Sequence, residues 1–192
     1  MSEAALDDTI TDMALAAGRG DRAAANSLIQ NTQRDVWRFL IYLVGRADAE
    51  DLTQETFVRA LAGAHRFSGR GHARAWLLAI ARRVAADHFR ALSTRPRLAT
   101  NDDWQVAAER ARTPNLPGID ETVSIGLAVR ELSTERRDAF VLTQVLGLAY
   151  AEAAQVCGCA IGTIRSRVAR ARQDLVEILE PGLLRHGRGS RR

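Results

Sequence analysis

The distribution of proline divides this 192-residue chain more sharply than any other feature. Proline is absent before Pro96, two more follow at 114 and 117, and the last of the four is Pro181. Because proline ends or kinks helices, long helices can form only in the proline-free stretches. The segment 93–122 also lacks a sustained apolar period, which predicts a flexible linker. The sequence therefore predicts two domains, 1–92 and 123–185, joined by the linker 93–122 and followed by a basic tail at 186–192.

Both blocks carry helical signals. Apolar residues recur at helical spacing, and neither block contains a convincing run of strand-like alternation. Asp21, Asp48 and Ser133 stand where helix N-caps are expected, and Gly45 and Gly147 stand where helices stop. These signals predict an all-α protein of two small helical domains joined by the linker. The expected helices cover 21–45, 48–64, 74–91, 133–147, 150–158 and 161–175.

Charge and hydropathy narrow the choice of partners. The formal net charge is +4 and the pI is near 10.0, a mild basic excess that permits a nucleic-acid partner without requiring one. Apolar runs such as 39–45 are far shorter than the ~20 residues that a membrane-spanning helix needs. The acidic N-terminus lacks the basic-then-apolar pattern of a secretory signal. We therefore expect a cytoplasmic protein without membrane insertion.

Cysteine and histidine spacing gives no sign of a metal site. Cys157 and Cys159 lie too close in sequence for an ordinary disulfide, and the histidines at 65, 72, 88 and 186 offer no spacing that would complete a zinc site. Buried structural cysteines are expected instead. The chain also lacks a P-loop and an HExxH motif. We expect no catalytic residues, no metal and no cofactor, hence a protein that is not an enzyme.

The stretch GTIRSRVARARQDL at 162–175 has a basic face suited to DNA. Four arginines lie between 165 and 172, and no acid occurs from Gly162 until Asp174. At 100° per residue, an apolar stripe faces inward and a polar face lies opposite. With the tight turn expected at Gly158, this is the layout of a helix-turn-helix whose second helix enters the major groove, the alternative being a bundle helix with a basic face. The expected DNA contacts are Thr163, Arg165, Ser166, Arg167 and Arg170.

The first block has a surface of the opposite character. On the helix expected to start at Asp48, an acidic and amide-bearing face lies away from the apolar stripe of Leu52, Phe57 and Ala60. Acid repels DNA, so this face is expected to bind a protein with a basic surface, with an ordinary solvated face as the alternative. Its residues are Asp51, Gln54, Glu55 and Val58.

Three motifs occur in a fixed order: DAEDLTQETFVRAL, WLLAIARRVAADHFR and, after the linker, LGLAYAEAAQVCGCAIGTIRSRVARARQDL. Together they resemble a sigma factor of the extracytoplasmic-function (ECF) type, over about 21–92 and 126–180. The resemblance implies an alternative sigma factor that binds core RNA polymerase and directs promoter-specific initiation at −10 and −35 elements. The acidic face would dock on the clamp coiled coil of the largest subunit. The helix 161–175 would read the −35 element, and the linker would thread toward the active centre and RNA exit channel.

The same resemblance assigns the −10 element to the loop 65–74 and the helix 74–91. Promoter opening needs a site that prefers extruded bases, and a glycine-containing loop with Phe67 for stacking suits that task, although Phe67 could equally anchor the loop in the core. Arginines along the loop and helix would hold phosphates. The expected −10 contacts are Phe67, Arg70, Arg74, Arg82, Arg83 and Arg90. The resemblance also implies a possible anti-sigma partner.

Two departures from the family pattern concern helix caps. Ala149 stands where serine often precedes the Tyr-x-Glu motif, and Ala160 stands where an N-capping serine would be natural. Losing a cap costs about 1 kcal/mol, so the recognition helix is expected to be less rigid when it is not bound to DNA. The alternative function is a stand-alone helix-turn-helix regulator whose first block serves dimerisation or sensing.

Overall fold

The computed structural model describes residues 3–94 and 120–179, with side chains described over 5–94 and 125–179. Within these ranges the backbone forms helices and turns and no strand, which confirms the predicted all-α class. The N-terminal bundle comprises α1 (Glu3–Gly18), α2 (Arg22–Val44), α3 (Arg46–Gly63), a 3-10 turn (Ala64–Arg66) and α4 (Ala73–Thr94). The C-terminal bundle comprises α5 (Asp120–Glu131), α6 (Thr134–Phe140), a π-helical segment (Val141–Val145), α7 (Tyr150–Cys157) and α8 (Ile161–Leu179).

The expected helix boundaries hold at some points and move at others. Asp21 caps α2 as expected, because its Oδ1 accepts hydrogen bonds from Ala23 N and Ala24 N at 2.9 and 3.0 Å. Asp48 was the wrong N-cap for α3: Gly45 occupies that position and Asp48 lies in the first turn of the helix. Gly45 ends α2 and begins α3 with φ of 95°, so two helices share one left-handed residue that only glycine adopts easily.

The chain on either side of the expected linker is helical for slightly longer than the sequence suggested. Helix α4 continues to Thr94, and α5 begins at Asp120, so the helical blocks extend a few residues into the segment 93–122. Hydroxyl hydrogen bonds to Arg90 O from Ser93 and Thr94, at 2.8 and 3.0 Å, accompany the last turn of α4. The remainder of the expected linker, and the expected basic tail, lie outside the described residues.

Helix α1 has no counterpart among the helices expected from the sequence. Its buried Ile10 and Ala14 pack into the N-terminal core, and its Asp7 is also buried. The core of that bundle is filled by large side chains of α2 and α4, among them Phe39 and Leu77. Burying each such side chain contributes roughly 1.5–3 kcal/mol, which orders the helices that carry the surfaces described below.

The two bundles pack directly on each other. Helix α4 lies against α7, while α2 contacts α5, α6 and the π-helical segment. The buried apolar residues of both bundles form one continuous cluster. At the junction, a Cβ on Gly45 would lie 2.8 Å from Nη2 of Arg130 in the other bundle, so a side chain at this position would have to displace that guanidinium.

Candidate nucleic-acid and polymerase interfaces

Helices α7 and α8 form the expected helix-turn-helix. Gly158 ends α7 in the left-handed region at φ 65° and ψ 39°, and Cys159 N donates to Ala154 O at 3.1 Å. The missing serine at Ala149 is partly offset, because Glu152 Oε2 accepts a hydrogen bond from Ala149 N at 2.9 Å. The tight turn brings α8 into contact with α7, and the N-terminal half of α8 packs into the bundle through Ile164 and Val168.

The two faces of α8 divide as the sequence indicates. The apolar stripe of α8 is buried, whereas Arg165, Ser166 and Arg170 are exposed, and Thr163 and Arg167 are half-buried. Ser166 Oγ donates to Thr163 O at 2.9 Å, which holds the hydroxyl along the helix surface. The buried side chains of the stripe are Ile164, Val168, Ala171 and Leu175.

Arg172 differs from the other arginines of α8. Its Nη2 donates to Gln144 Oε1 at 2.6 Å, and Gln144 belongs to the π-helical segment of the same bundle. Near the end of the helix, Arg136 Nη1 pairs with Asp174 Oδ2 at 2.5 Å, side chains that are about one-third exposed. The inner edge of α8 is therefore fastened to its own bundle, while the outer edge faces solvent.

The acidic face of α3 is also open to solvent. Asp51 and Gln54 are exposed, and Val58 is 63% exposed although it is apolar. Glu55 is half-buried and accepts a hydrogen bond from Arg59 Nε at 2.7 Å. Arg59 also reaches across to Asp87 Oδ2 of α4 at 2.6 Å, and this hydrogen bond lowers the pKa of Asp87. The face thus combines acid, amide and one exposed aliphatic side chain beside a fixed cation.

A groove beside this face escaped the sequence reasoning. Gln54 lines it together with Trp37 and Arg34 of α2 and two further α3 residues, Glu50 and Thr53. Trp37 is half-buried and lies 5.9 Å from the guanidinium carbon of Arg46, in a cation–π arrangement. The only available signal was tryptophan at helical spacing from the α2 core, which does not distinguish a groove wall from a core residue.

The loop between the 3-10 turn and α4 forms the second groove. The Phe67 ring stacks on Trp76 with centroids 4.8 Å apart and planes 31° from parallel. Both rings are half-buried and both line the groove, so Phe67 anchors the loop and also offers part of its face. Arg70 lies exposed at the rim, and Gly69 adopts φ of 70°. Gln155 of α7 lines the same groove, a contribution from the other bundle that the sequence could not indicate.

Two of the expected −10 arginines lie between the bundles. Arg74 Nε donates to Asp35 Oδ2 at 2.7 Å, and its Nη2 donates to Leu146 O of the C-terminal bundle at 2.6 Å. The Arg74 side chain is 14% exposed. Arg82 Nε donates to Asp138 Oδ2 at 2.6 Å, across the same junction. The structure therefore places Arg74 and Arg82 against protein groups, although the sequence suggested phosphate contacts for both.

Asp138 makes this junction electrostatically demanding. Its side chain is 1% exposed, and burial raises the pKa of Asp138 while the hydrogen bond from Arg82 opposes that shift. Oδ1 of Asp138 and Nε of Arg137 are buried without a hydrogen-bond partner. Arg137 donates instead through Nη1 to Leu43 O at 3.2 Å, another contact between the bundles. A buried carboxylate whose partner is removed is strongly destabilising, so Asp138 depends on Arg82.

The remaining expected −10 arginines are accessible. Arg83 is exposed, and Arg90 is exposed while pairing with Asp87 one helical turn away. Arg70, Arg83 and Arg90 therefore remain at the surface, whereas the sequence treated all the −10 arginines alike. Exposed pairs such as Arg90 with Asp87 contribute little stability and exchange readily for other anions.

The cysteines are packed less deeply than expected. Cys157 and Cys159 are half-buried and carry no disulfide. Burial raises the pKa of the Cys157 thiol to about 12, with the nearby Asp138 charge acting in the same direction. Arg167 Nη1 lies 3.7 Å from Cys159 Sγ, so Cys159 contacts the expected recognition helix in addition to packing against the core. No helix of the described ranges is long and apolar enough to span a membrane.

Comparison with known proteins accounts for both bundles. Residues 28–95 match Sigma-70 region 2, and residues 122–175 match Sigma-70, region 4. The chain is 47% identical over 175 residues to the ECF RNA polymerase sigma factor SigC of Mycobacterium tuberculosis, covering 91% of this chain and 94% of that protein. These matches coincide with the bundle that carries the acidic face and with the bundle that carries the helix-turn-helix.

Two solved structures resemble the fold. The sigma factor RpoE of Bartonella quintana, solved with the anti-sigma factor NepR, is 30% identical, with a TM-score of 0.65 over 80% of this chain and 95% of that one. CnrH, solved with the cytosolic domain of CnrY, is 24% identical, with a TM-score of 0.68 over 91% of this chain and 99% of that one. The latter likeness concerns the fold alone.

Proposed function

Because this chain belongs to the ECF sigma factors of bacterial RNA polymerase, we propose how its surfaces divide the work of promoter recognition. The chain is an alternative sigma factor that directs transcription initiation. The observation that carries the division of work is the exposed outer face of α8, which has no acid between Gly162 and Asp174. The helix belongs to a helix-turn-helix that follows a region 2 bundle with an acidic surface.

The outer face of α8 reads the −35 element in the major groove. Arg165, Ser166 and Arg170 are exposed and can reach base edges and phosphates without rearrangement. Thr163, in the first turn, lies where the helix N-terminus favours a phosphate. Arg167 contributes from the edge of the face, because its guanidinium is shared with the Cys159 sulfur.

The acidic face of α3 docks on the clamp coiled coil of the largest polymerase subunit. Asp51, Gln54 and the 63% exposed Val58 supply charge, amide hydrogen bonds and apolar area at one place. Such a combination is typical of a protein interface with a charged rim and an apolar centre. Glu55 acts mainly by holding Arg59 in position.

The Phe67 groove and the α4 arginines capture the −10 element. The half-buried rings of Phe67 and Trp76 offer a stacking surface for an extruded base, and Arg70 stands at the rim for the backbone phosphate. Arg83 and Arg90 extend the phosphate path along α4.

Arg74 and Arg82 join this path only after the bundles separate. In the closed arrangement they hold Leu146 O and Asp138, and Gln155 lines the groove that the base would enter. Binding to polymerase and promoter must therefore exchange protein partners for phosphates at these two arginines. The closed arrangement competes with −10 binding, while it leaves the −35 face of α8 open.

The family also bears on partners, location and chemistry. The Bartonella quintana relative was solved with an anti-sigma factor, and we propose a partner of that class for this chain. We propose that the protein acts in the cytoplasm, because core polymerase and promoter DNA are there. We propose no catalytic role for it, because every surface assigned above binds a macromolecule. The family matches to both bundles favour this function over a stand-alone regulator.

Pull-down of core polymerase tests the docking face. The Asp51→Arg variant is expected to lose at least about tenfold in affinity, because a like charge now faces the basic surface of the clamp. The matched control is Asp12→Arg, which reverses another exposed acid, on α1. Equal binding by the Asp51→Arg variant and the wild type would remove the α3 face from the interface, and equal losses in both variants would reduce the effect to net charge.

A further inference from the structure

A histidine and two carboxylates meet at the junction between the bundles. His72 Nδ1, in the loop before α4, lies 2.7 Å from Glu152 Oε1 in the first turn of α7. The same nitrogen lies 3.8 Å from Asp7 Oδ2 of α1. The three side chains come from positions far apart in the sequence and each belongs to a different element.

The cluster is sheltered enough to be a built feature. The Asp7 side chain is 9% exposed and that of Glu152 is 18% exposed, whereas His72 is 40% exposed and forms the open side. Glu152 uses its Oε2 atom to cap α7 and directs Oε1 at His72. The carboxylates are therefore held by the fold and do not sweep through solvent like ordinary surface acids.

The donor set suits a particular class of ion. One atom from each residue lies within 4.8 Å of the others, and ligands at about 2.0–2.2 Å from a tetrahedral ion stand roughly 3.4 Å apart. The distances of 2.7 and 3.8 Å at His72 Nδ1 bracket that spacing, so small side-chain shifts suffice. An imidazole nitrogen with two carboxylate oxygens is typical of zinc, iron, cobalt or nickel sites, whereas magnesium and calcium prefer oxygen alone.

We propose that Asp7, His72 and Glu152 bind one divalent transition-metal ion of the zinc class, with water completing its coordination, and that this ion holds the two bundles closed. Asp7 and His72 belong to the N-terminal bundle and Glu152 belongs to the C-terminal bundle. Separation of the bundles removes one protein ligand, so the ion binds the closed arrangement more tightly than the open one and favours it. The effect on promoter binding rests on the proposed function, whereas the metal site does not.

The neighbouring thiols do not compete for this role. Metal coordination needs the thiolate, and burial keeps the Cys157 thiol protonated at neutral pH. Cys159 contacts Arg167 on the recognition helix. To keep the assignment clean, the experiments below use the full chain carrying Cys157→Ser and Cys159→Ser.

Cobalt titration tests the site directly. Visible absorption on adding Co²⁺ to the full chain, with equilibrium dialysis of Zn²⁺ for stoichiometry, is expected to show one ion per chain. Asp7→Asn, His72→Ala and Glu152→Gln are each expected to weaken binding by at least about tenfold. Glu152→Gln keeps a side chain that can cap α7, so its loss of binding does not reflect a lost cap. Circular dichroism of each variant verifies that the helices form.

His88→Ala is the matched control. His88 Nε2 lies 3.7 Å from Asp48 Oδ2, so it is also a histidine beside a carboxylate, but both residues belong to the N-terminal bundle. Its replacement is expected to leave Co²⁺ binding unchanged. Absence of saturable binding, or an equal loss in the His88→Ala variant, overturns the site and leaves His72 as a hydrogen-bond partner of Glu152 beside Asp7.

The proposed closure of the two bundles by the ion is measured separately. Small-angle scattering of the full chain is expected to show a smaller radius of gyration with Zn²⁺ than with chelator, and no difference in the Glu152→Gln variant. Zn²⁺ is also expected to weaken the binding of −10 DNA by holoenzyme at least tenfold, and not in that variant. If the Glu152→Gln variant still binds the metal, the ion is held by one bundle alone, and the proposal that it holds the two bundles closed is overturned. If the chain failed to bind polymerase, the cobalt and scattering results would still stand, so the two failures are distinguishable.

Discussion

The recognition helix and the −10 surface are built from the same residue type but reach opposite states. On α8, Arg165 and Arg170 project into solvent, whereas Arg74 and Arg82 are engaged by groups of the opposite bundle. Arginine suits both states, because its guanidinium binds a phosphate or a carboxylate with similar geometry and also donates hydrogen bonds to carbonyl oxygens. The contrast shows that a basic side chain expected to hold DNA can first be held by protein.

The contrast arises from the acidic and polar groups that lie near each arginine. The outer face of α8 carries no acid between Gly162 and Asp174, so nothing on the helix itself neutralises it. Helix α4 instead packs against α7 of the C-terminal bundle, and its arginines meet two groups of that bundle: the buried carboxylate of Asp138 in α6 and the carbonyl of Leu146, which follows the π-helical segment. On the proposed function, the −35 surface can bind DNA in this arrangement, whereas the −10 surface binds it fully only after the bundles separate.

The largest expected effect concerns the covered groups near the junction between the bundles, and it is the slow alkylation of the Cys157 thiol. With its pKa raised to about 12 from 9.0, the thiolate fraction at pH 8 falls by roughly 1000-fold relative to the unfolded chain. Iodoacetamide labelling of the Cys159→Ser variant, followed by intact mass, is expected to be slower in the native state by about that factor. Native and unfolded rates within tenfold of each other would contradict the packing of Cys157.

Arginine substitutions on α8 test the exposed surface that is proposed to read the −35 element. Arg170→Ala is expected to reduce transcription from a cognate promoter by about 5- to 150-fold, the equivalent of ~1–3 kcal/mol for a lost base contact. Arg167→Ala is expected to have a smaller effect because its guanidinium is partly engaged by Cys159. The control is Arg172→Ala, whose guanidinium is bonded to Gln144, and it is expected to change transcription less than twofold.

Promoters altered at either element decide where these defects lie. The loss in the Arg170→Ala variant is expected to depend on the −35 sequence and to leave the −10 requirement unchanged. Equal effects of all three substitutions in run-off transcription would reduce α8 to a generic basic helix.

Asp138→Asn is expected to make the proposed −10 surface more available to DNA, as the proposed −35 surface already is. It removes the charge that holds Arg82 in the closed arrangement, and a hydrogen bond to a charged group contributes about 1.5–3 kcal/mol. Binding of −10 DNA by holoenzyme is therefore expected to tighten roughly tenfold. Fluorescence anisotropy with a labelled −10 fork measures it.

Asp87→Asn is the control for that measurement. Asp87 pairs with Arg59 and Arg90 at the surface, where ion pairs contribute little, so −10 affinity is expected to change less than twofold. An unchanged affinity in the Asp138→Asn variant would mean that the bundles separate without cost. The availability of Arg82 for DNA would then not depend on its release from Asp138.

Much of the fold could be predicted because it is written in local patterns. Asp21 as a cap, Gly158 as a turn and the buried stripe of α8 follow from short-range spacing, and the structure confirms each of them. The cap of α3 was predicted wrongly, because Asp48 has a cap-forming side chain but the sharp turn at Gly45 had already begun the helix. Helix α1 was missed, because its acidic sequence conceals an inward face that only packing against α2 makes evident.

The candidate surfaces divide in the same way. Periodicity located the exposed residues of α8 and α3, because a helix face depends only on positions three and four apart. It could not separate Arg74 and Arg82 from Arg83 and Arg90, because their difference lies in what the other bundle presents. Whether each assigned residue contacts DNA or polymerase stays a prediction for the experiments above.

The sequence by itself determined the all-α class, the helix-turn-helix and the family, since these depend on the order of residues and on motifs along the chain. Only the tertiary structure decided that Arg82 faces Asp138 and that His72 lies between Asp7 and Glu152. Each of these contacts joins residues dozens of positions apart. Their energies arise from burial and charge at a junction between bundles, and no local pattern specifies which side chains will meet there.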